Sequence, residues 1–372
     1  MSELSQSLRK ERGERLNAAM TAENIDVLVV VGNSWRSDYL RYATGVVLVE
    51  GNGVALIERG GGTTFLVESP AEVARIAVEQ PDFEISWSTS AIAQAERAIA
   101  ALGSRKLALA PAAALPMRLA KNPVAASVPA ATAMLDRLMM RKSPAELSAV
   151  RRAAELADEG YQVFLKGARP GRPEYALVAD VEAFYRSRGC AENFQILGSG
   201  GKDVRGMHPP GAKLVAAGDL VTTELTPCYE GYYAQICRTC VVGEPTAAQK
   251  KAFALYNEAL EAGIAAVRPG VKASDIARAE NDVFRKAGLG NYVTSEYTRV
   301  RGHGLGLYTD SRPALLEDVD VVLEADMTLV VHPNTYHPEV GYFVHGDSLR
   351  VTENGCEVLI HTPRELFPVP AR

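Results

Sequence analysis

Four of the chain's six histidines stand in settings that suit proton transfer. His208 lies in Met207-His208-Pro209-Pro210, and His303 sits between glycines in Arg301-Gly302-His303-Gly304-Leu305-Gly306. His332 ends the apolar run Val330-Val331, and His345 precedes Gly346-Asp347. An imidazole gains and loses its proton near pH 6.5, so it serves as acid or base around neutrality. Glu224 and Thr226 are two apart in a predicted strand over 220–225 and its extension, so they share a face. Gln235, Cys237 and Thr239 share a face of the strand predicted to return over 232–242. Imidazoles with one carboxylate and an amide suit acid and base work on a small polar substrate.

Several other features have plainer readings. Cys237 faces the same way as Gln235, but an unpaired cysteine is more often a small buried hydrophobe than a nucleophile. Cys237 and Cys240 have CxxC spacing, yet residues three apart on a strand face opposite ways, so a joint metal site is not expected. The glycine runs Gly60–Gly62 and Gly198-Ser199-Gly200-Gly201-Lys202 lack the full phosphate-loop pattern and read as turns. His337 before a proline reads as a rim residue, and Asp347 as a turn-pinning carboxylate.

The elements that must carry these residues follow from periodicity. Leu4, Leu8, Leu16 and Met20 mark a helix, and Ile25–Gly32 a buried strand. Two strands flank Arg59–Gly62, and a helix at 91–102 precedes a strand at 107–110. Ser143, Pro144 and Glu146 form an N-terminal helix signature for a long helix running toward Phe164. Further helices fit 174–188 and 247–266, while the chain beyond Ile196 is strand-rich. This alternation predicts an α/β unit of 1–138, then a second domain of 139–372. With 372 residues, 47% hydrophobic and 23% charged, the chain has a globular composition. A formal charge of −5 is too mild to attract nucleic acid or anionic membrane. No apolar run approaches the roughly 20 residues of a membrane span. Without a visible secretory signal, and with five cysteines, a cytoplasmic enzyme is expected.

The motifs Gly218-Asp219-Leu220-Val221, Gly302-His303-Gly304-Leu305-Gly306-Leu307 and Val351-Thr352-Glu353-Asn354-Gly355 resemble, in order and spacing, the pita-bread family of creatinase, prolidase, aminopeptidase P and methionine aminopeptidase. Trp35–Gly45 and Arg141–Glu146 are similar to weaker family segments. The resemblance implies a two-domain α+β protein: an N-terminal creatinase-like α/β domain and a C-terminal pita-bread domain with a curved antiparallel sheet. It also implies a homodimer, with Arg36 a contact across subunits.

The family's peptidases hold two metal ions with five ligands. At those positions this chain has Glu224, Gln235, His303, His332 and Gly346. An amide and a glycine supply no charge to hold two cations together. The pattern is therefore closer to the metal-free creatinase branch, with Met207–Pro210 matching the place of its catalytic histidine. The expectation is a metal-independent hydrolase of a C–N bond in a small amide, amidine or lactam, with no cofactor and no peptidase activity. His208 is expected as principal base, with Glu224, His303 and His332 as catalytic partners. Cys237, His345, Tyr232, Gln235, Arg301 and Arg36 are the expected substrate contacts, with Tyr233 and Arg238 as further candidates. One divalent metal on Glu224, His303 and His332, serving a hydrolase or lyase, is the first alternative. A non-catalytic pita-bread binding module is the second.

Overall fold

A computed structural model describes residues 2–371. It divides into two compact units, Met1–Met139 and Met140–Arg372.

In the first unit, Val27–Asn33 (β1), Asn52–Glu58 (β2), Thr63–Val67 (β3), Glu84–Trp87 (β4) and Leu107–Ala110 (β5) form a mixed sheet in the order β4-β3-β2-β1-β5. The β-branched β1 lies inside the sheet between β2 and β5 and is buried on both faces, which is why it reads as continuously apolar rather than alternating. Val27, Val29, Val31, Leu56 and Leu109 pack with Ala91, Ile92 and Ile99 of the helix Ala91–Ala101. The opening helix, Glu3–Ala22, buries Leu8, Arg12, Leu16 and Met20 along one stripe.

The second unit opens with the helix Pro144–Gly167. Its Ser143 cap and Glu146 form the expected capping box, with Pro at the first turn. Glu192–Gly200 (β6), Leu220–Tyr229 (β7), Tyr232–Tyr233 (β8) and Ile236–Val242 (β9) lead into one sheet. Its order begins β9-β7-β6, with β8 against β7. A second sheet is built from Gly302–Gly304 (β10), Ser311–Ala314 (β11), Thr328–Val331 (β12), Asp347–Val351 (β15) and Cys356–Val358 (β16) in the order β11-β10-β12-β15-β16. Thr335–His337 (β13) and Gly341–Phe343 (β14) form a hairpin, and Phe367–Val369 (β17) closes the first sheet as its one parallel partner. A paired bridge between Cys237 and Gly346 joins the two sheets. The strands otherwise pair antiparallel, and two helices, Ala247–Ala266 and Ala273–Lys286, bury Leu260 and Ile276 against Leu329 and Val331. The two-domain α+β organisation is therefore as expected, with a mixed sheet first and largely antiparallel sheets second. Among the described residues, no helix is long and apolar enough to cross a membrane.

Candidate active site

Glu224 sits in the middle of β7, where it faces Ile196 on one side and Cys237 on the other. His303 is the centre of β10, a strand hemmed in by β11 and β12. The flanking glycines are steric requirements: a Cβ on Gly302 would stand 2.2 Å from the Val330 carbonyl oxygen, and one on Gly304 1.9 Å from that of Arg312. The glycine-histidine-glycine pattern thus reflects close strand approach around one side chain that can leave the sheet. β12 ends at Val331, and Pro333 cannot extend the ladder. His332 and Asn334 therefore leave the strand.

Glu224, His303 and His332 line one cleft of about 480 Å³. Phe194, Ile196, Met207 and Val300 supply its apolar wall, while Arg205, Arg299, Asp310, Asn334 and Tyr342 supply polar groups. The two imidazole rings lie 5.5 Å apart, edge to face. His303 Nε2 is 3.2 Å from Asp310, which also pairs with Arg299 at 2.6 Å. Asn334 Nδ2 donates to Glu224 Oε1 at 2.7 Å, and its own Oδ1 accepts the His345 N–H. Burial, reinforced by Asp310 and only partly offset by Arg299 and the Asn334 and Gln235 amides, raises the Glu224 carboxyl to about 7. Burial lowers His303, and burial with the neighbouring His303 lowers His332 well below the usual imidazole range. Both rings are thus held neutral at neutral pH, and the carboxyl is poised to take or give a proton.

Other expected site residues lie elsewhere. His208 is half exposed and absent from the cleft wall; its Nδ1 lies 2.8 Å from the Pro209 carbonyl and its Nε2 3.8 Å from Glu174. His208 and Leu197 form a bridge, so alternation turns Met207 into the cleft and His208 away. His345 is buried against Phe253 and bonds Asn257 at 3.2 Å; burial pushes it down to about 3, and it does not reach the cleft. Cys237 lies in an apolar cluster with Leu305, Val330 and Val344, and burial raises its thiol well above the usual range. It is core rather than a nucleophile.

Tyr232 is buried with its hydroxyl on Glu146 at 2.5 Å, so it pins a helix start rather than a substrate. Gln235 is buried behind Glu224. Arg301 is 2% exposed, donates to the Asn334 carbonyl at 3.0 Å and lies over Phe284. It is a support beneath the cleft floor rather than a substrate contact. Arg238 is fully buried against Asp347 at 2.7 Å, which uses its charge internally. Arg36 belongs to the first unit and pairs with Asp38 at 2.6 Å. Asp310 and Asn334 escaped the sequence reading. Asn334 had a signal, since it follows His332 by two residues beyond a proline; Asp310 had none of comparable weight.

A dinuclear metal centre is not what these residues build. Gln235 and Gly346 stand where the two bridging carboxylates are expected, and His303 alone keeps its family type. A Cβ at Gly346 would lie 2.5 Å from His332 Cβ and 2.5 Å from the Val331 carbonyl. His332 thus occupies the room that a side chain at 346 would need. Among the described residues, no three His, Cys, Asp or Glu side chains converge to hold a metal ion.

Comparison with known proteins identifies residues 148–353 with the metallopeptidase family M24 and residues 12–134 with the creatinase/prolidase N-terminal domain. An uncharacterized peptidase, YqhT of Bacillus subtilis, is 31% identical over 249 residues, covering 66% of this chain and 67% of its own length. The Xaa-Pro dipeptidase of Pyrococcus furiosus is 28% identical over 62% of this chain and 66% of its own. The alignments thus span about two thirds of these relatives, and 64% of the mycobacterial probable dipeptidases. In structure, the dipeptidase PepE of Mycobacterium ulcerans superposes with a TM-score of 0.82 at 26% identity, covering 98% of both chains. These peptidase relatives overturn the expectation of a metal-independent, creatinase-like hydrolase of non-peptide C–N bonds with no cofactor. Lost ligand positions alone do not mark the metal-free branch, because the surrounding sequence aligns with peptidases.

Proposed function

Because this chain belongs to metallopeptidase family M24, we propose that it cleaves the peptide bond of a dipeptide-sized substrate in the cleft around Glu224, His303 and His332. The observation that carries this reading is the cleft itself. Its volume of about 480 Å³ suits a small molecule rather than a folded chain. The three chemically able side chains share its wall with Arg205, whose guanidinium favours a substrate carboxylate, while Arg299 is paired with Asp310.

Glu224 is the group we assign to proton handling at its Oε atoms, with Asn334 holding the carboxylate in place. The neutral rings of His303 and His332 orient the substrate amide, and the apolar wall excludes water from it. Two bound metal ions do not fit this donor set, and no step is derived through them. The homodimer that the resemblance implies belongs to the same reading, as does a cytoplasmic location, which five free cysteines suit.

The test is amine release from a panel of Xaa-Pro and other dipeptides, with Mn or Co supplied and after chelation, for the parent and Glu224→Gln. The parent should release amine, and the variant should lose at least about 100-fold. No turnover of any dipeptide under any condition would sink the proposal and leave a binding cleft. Two metal ions per chain by mass spectrometry would sink the donor-set argument.

A further inference from the structure

The N-terminal unit contains a second cavity, of about 360 Å³, that the chemistry above leaves unused. Leu16, Met20, Tyr42, Ile57 and Phe83 give it an apolar wall. The Gly60–Gly62 turn between β2 and β3 closes one side and is tied to the opening helix by Asn17, whose side-chain oxygen accepts the Gly60 N–H at 2.8 Å.

Two features of the opening helix cost stability and coincide at this cavity. Arg12 is 7% exposed, with Nε donating to the Leu8 carbonyl at 3.1 Å and one terminal nitrogen reaching the Arg41 carbonyl at 3.4 Å. Among the described residues it has no carboxylate partner. A buried cation without a counter-charge is expensive, and a guanidinium has five N–H groups to satisfy. Gly13 follows it in mid-helix, where glycine costs roughly 0.5–1 kcal/mol against alanine. Nothing lies within 4 Å of where its Cβ would stand, so no neighbour requires the glycine. Gly13 is exposed at the edge of the cavity it lines, so the missing side chain leaves the mouth uncrowded. Sequences break local rules of this kind mostly at functional sites.

We propose that this cavity binds a small monocarboxylate with an apolar body, its carboxylate on Arg12 and its body against Leu16, Met20, Tyr42 and Phe83. An anion supplies the missing counter-charge, and the apolar wall accounts for the rest of the volume. Arg9, Glu14 and Glu58 also line the cavity, but Arg9 pairs with Asp82, Glu58 pairs with Arg105 and Glu14 is exposed, so Arg12 is its buried charge. A largely apolar pocket with few placed polar groups is the usual design of a small-ligand site.

The probe is 3-phenylpropionate, titrated calorimetrically into the full chain, with 3-phenylpropanamide as its uncharged counterpart. One molecule should bind per chain, with a dissociation constant below about 1 mM. The amide should bind at least tenfold more weakly. Gly13→Ala should bind as the parent does, whereas Gly13→Trp, which crowds the mouth, and Arg12→Met should each lose tenfold or more. The Gly13 pair decides the matter even if Arg12→Met fails to fold. Absence of binding to the parent would overturn the proposal, as would equal binding of the amide. Undiminished binding to Gly13→Trp would overturn it too, because the probe would then occupy the cleft of the other unit.

Discussion

Asn334 holds more of the candidate site together than any histidine does. One amide donates to Glu224, accepts from the His345 backbone, and stands on a carbonyl held by Arg301. Asn334→Ala removes both side-chain bonds of a residue only 2% exposed and leaves the His345 N–H without a partner. A buried group left unpaired costs about 1–3 kcal/mol, so the urea midpoint should fall accordingly, and an unchanged midpoint would show that the amide is dispensable. Gly346 gives a second expectation at this scale. Because an added Cβ would meet His332 and the Val331 carbonyl at 2.5 Å, Gly346→Ala should itself destabilise by about 1–3 kcal/mol. Gly346→Glu should therefore fail to restore a metal-bridging carboxylate on its own. Pairing either change with His332→Gly, which removes the Cβ that the new side chain would meet, should recover part of the loss, and lack of recovery would separate the two positions.

At the scale of elements, the second unit depends on how one helix starts. Glu146 accepts the Ser143 N–H with one oxygen and the Tyr232 hydroxyl with the other, so the capping box and the β7–β8 hairpin share a carboxylate. Ser143→Ala should cost about 1 kcal/mol. Combined with Tyr232→Phe, the two losses should depart from additivity by at least about 0.5 kcal/mol, since both act through Glu146. Strict additivity in a double-mutant cycle would refute that coupling. The helix start was legible because Ser143, Pro144 and Glu146 act over four adjacent residues, and so was buried β1, whose β-branched run needs no partner to be recognised. The strand expected over 232–242 is instead interrupted between β8 and β9, because Ala234 and Gln235 turn to bond Pro227 and Ser348. Periodicity also passed over the helix Ala273–Lys286, although its buried stripe is regular. The site was legible as far as Glu224, His303 and His332. Asn334 meets Glu224 across 110 positions, a contact that no local pattern encodes. The direction of His208 was decided by its bridge to Leu197, another partner invisible in sequence.

Across the whole molecule, the buried titratable groups set how stability follows pH. Burial lowers His303, His332, His337 and His345, the last to about 3 from an ordinary 6.5. Each binds a proton in the unfolded chain below pH 6.5, while its folded counterpart stays neutral until the pH falls to its own lowered value. Acid therefore favours unfolding by up to about 1.4 kcal/mol per pH unit per ring. Burial raises Glu224 to about 7, and raises Glu280 well above the ordinary 4.5. These two keep their protons when folded and release them when unfolded, so stability falls as pH rises from 4.5 through and beyond neutrality. Between pH 4.5 and 6.5 His332 and His345, the rings lowered furthest, balance the two carboxyls, and the smaller lowering of His303 and His337 tips the balance to the imidazoles. Below 4.5 the carboxyls are protonated in both states and no longer oppose. Above 6.5 the imidazoles are neutral in both states and only the carboxyls act. Below about pH 4, Asp347 adds to the acid loss: burial opposes its charge, but Arg238 and Arg364 outweigh it and hold the carboxyl below 3.8. Stability should then peak near pH 6.5, decline gently toward 4.5 and steeply beneath it, and decline again on the alkaline side. Urea unfolding from pH 3.5 to 9 measures this profile. His345→Leu should flatten the acid limb by up to one proton's slope and leave the alkaline limb alone, whereas Glu280→Gln should flatten the alkaline limb and steepen the limb between pH 4.5 and 6.5, where its carboxyl opposes the imidazoles. A profile flat from pH 4 to 8, or an acid limb unmoved by His345→Leu, would mean that water reaches these groups and that the interior behind the cleft is wetter than its packing implies.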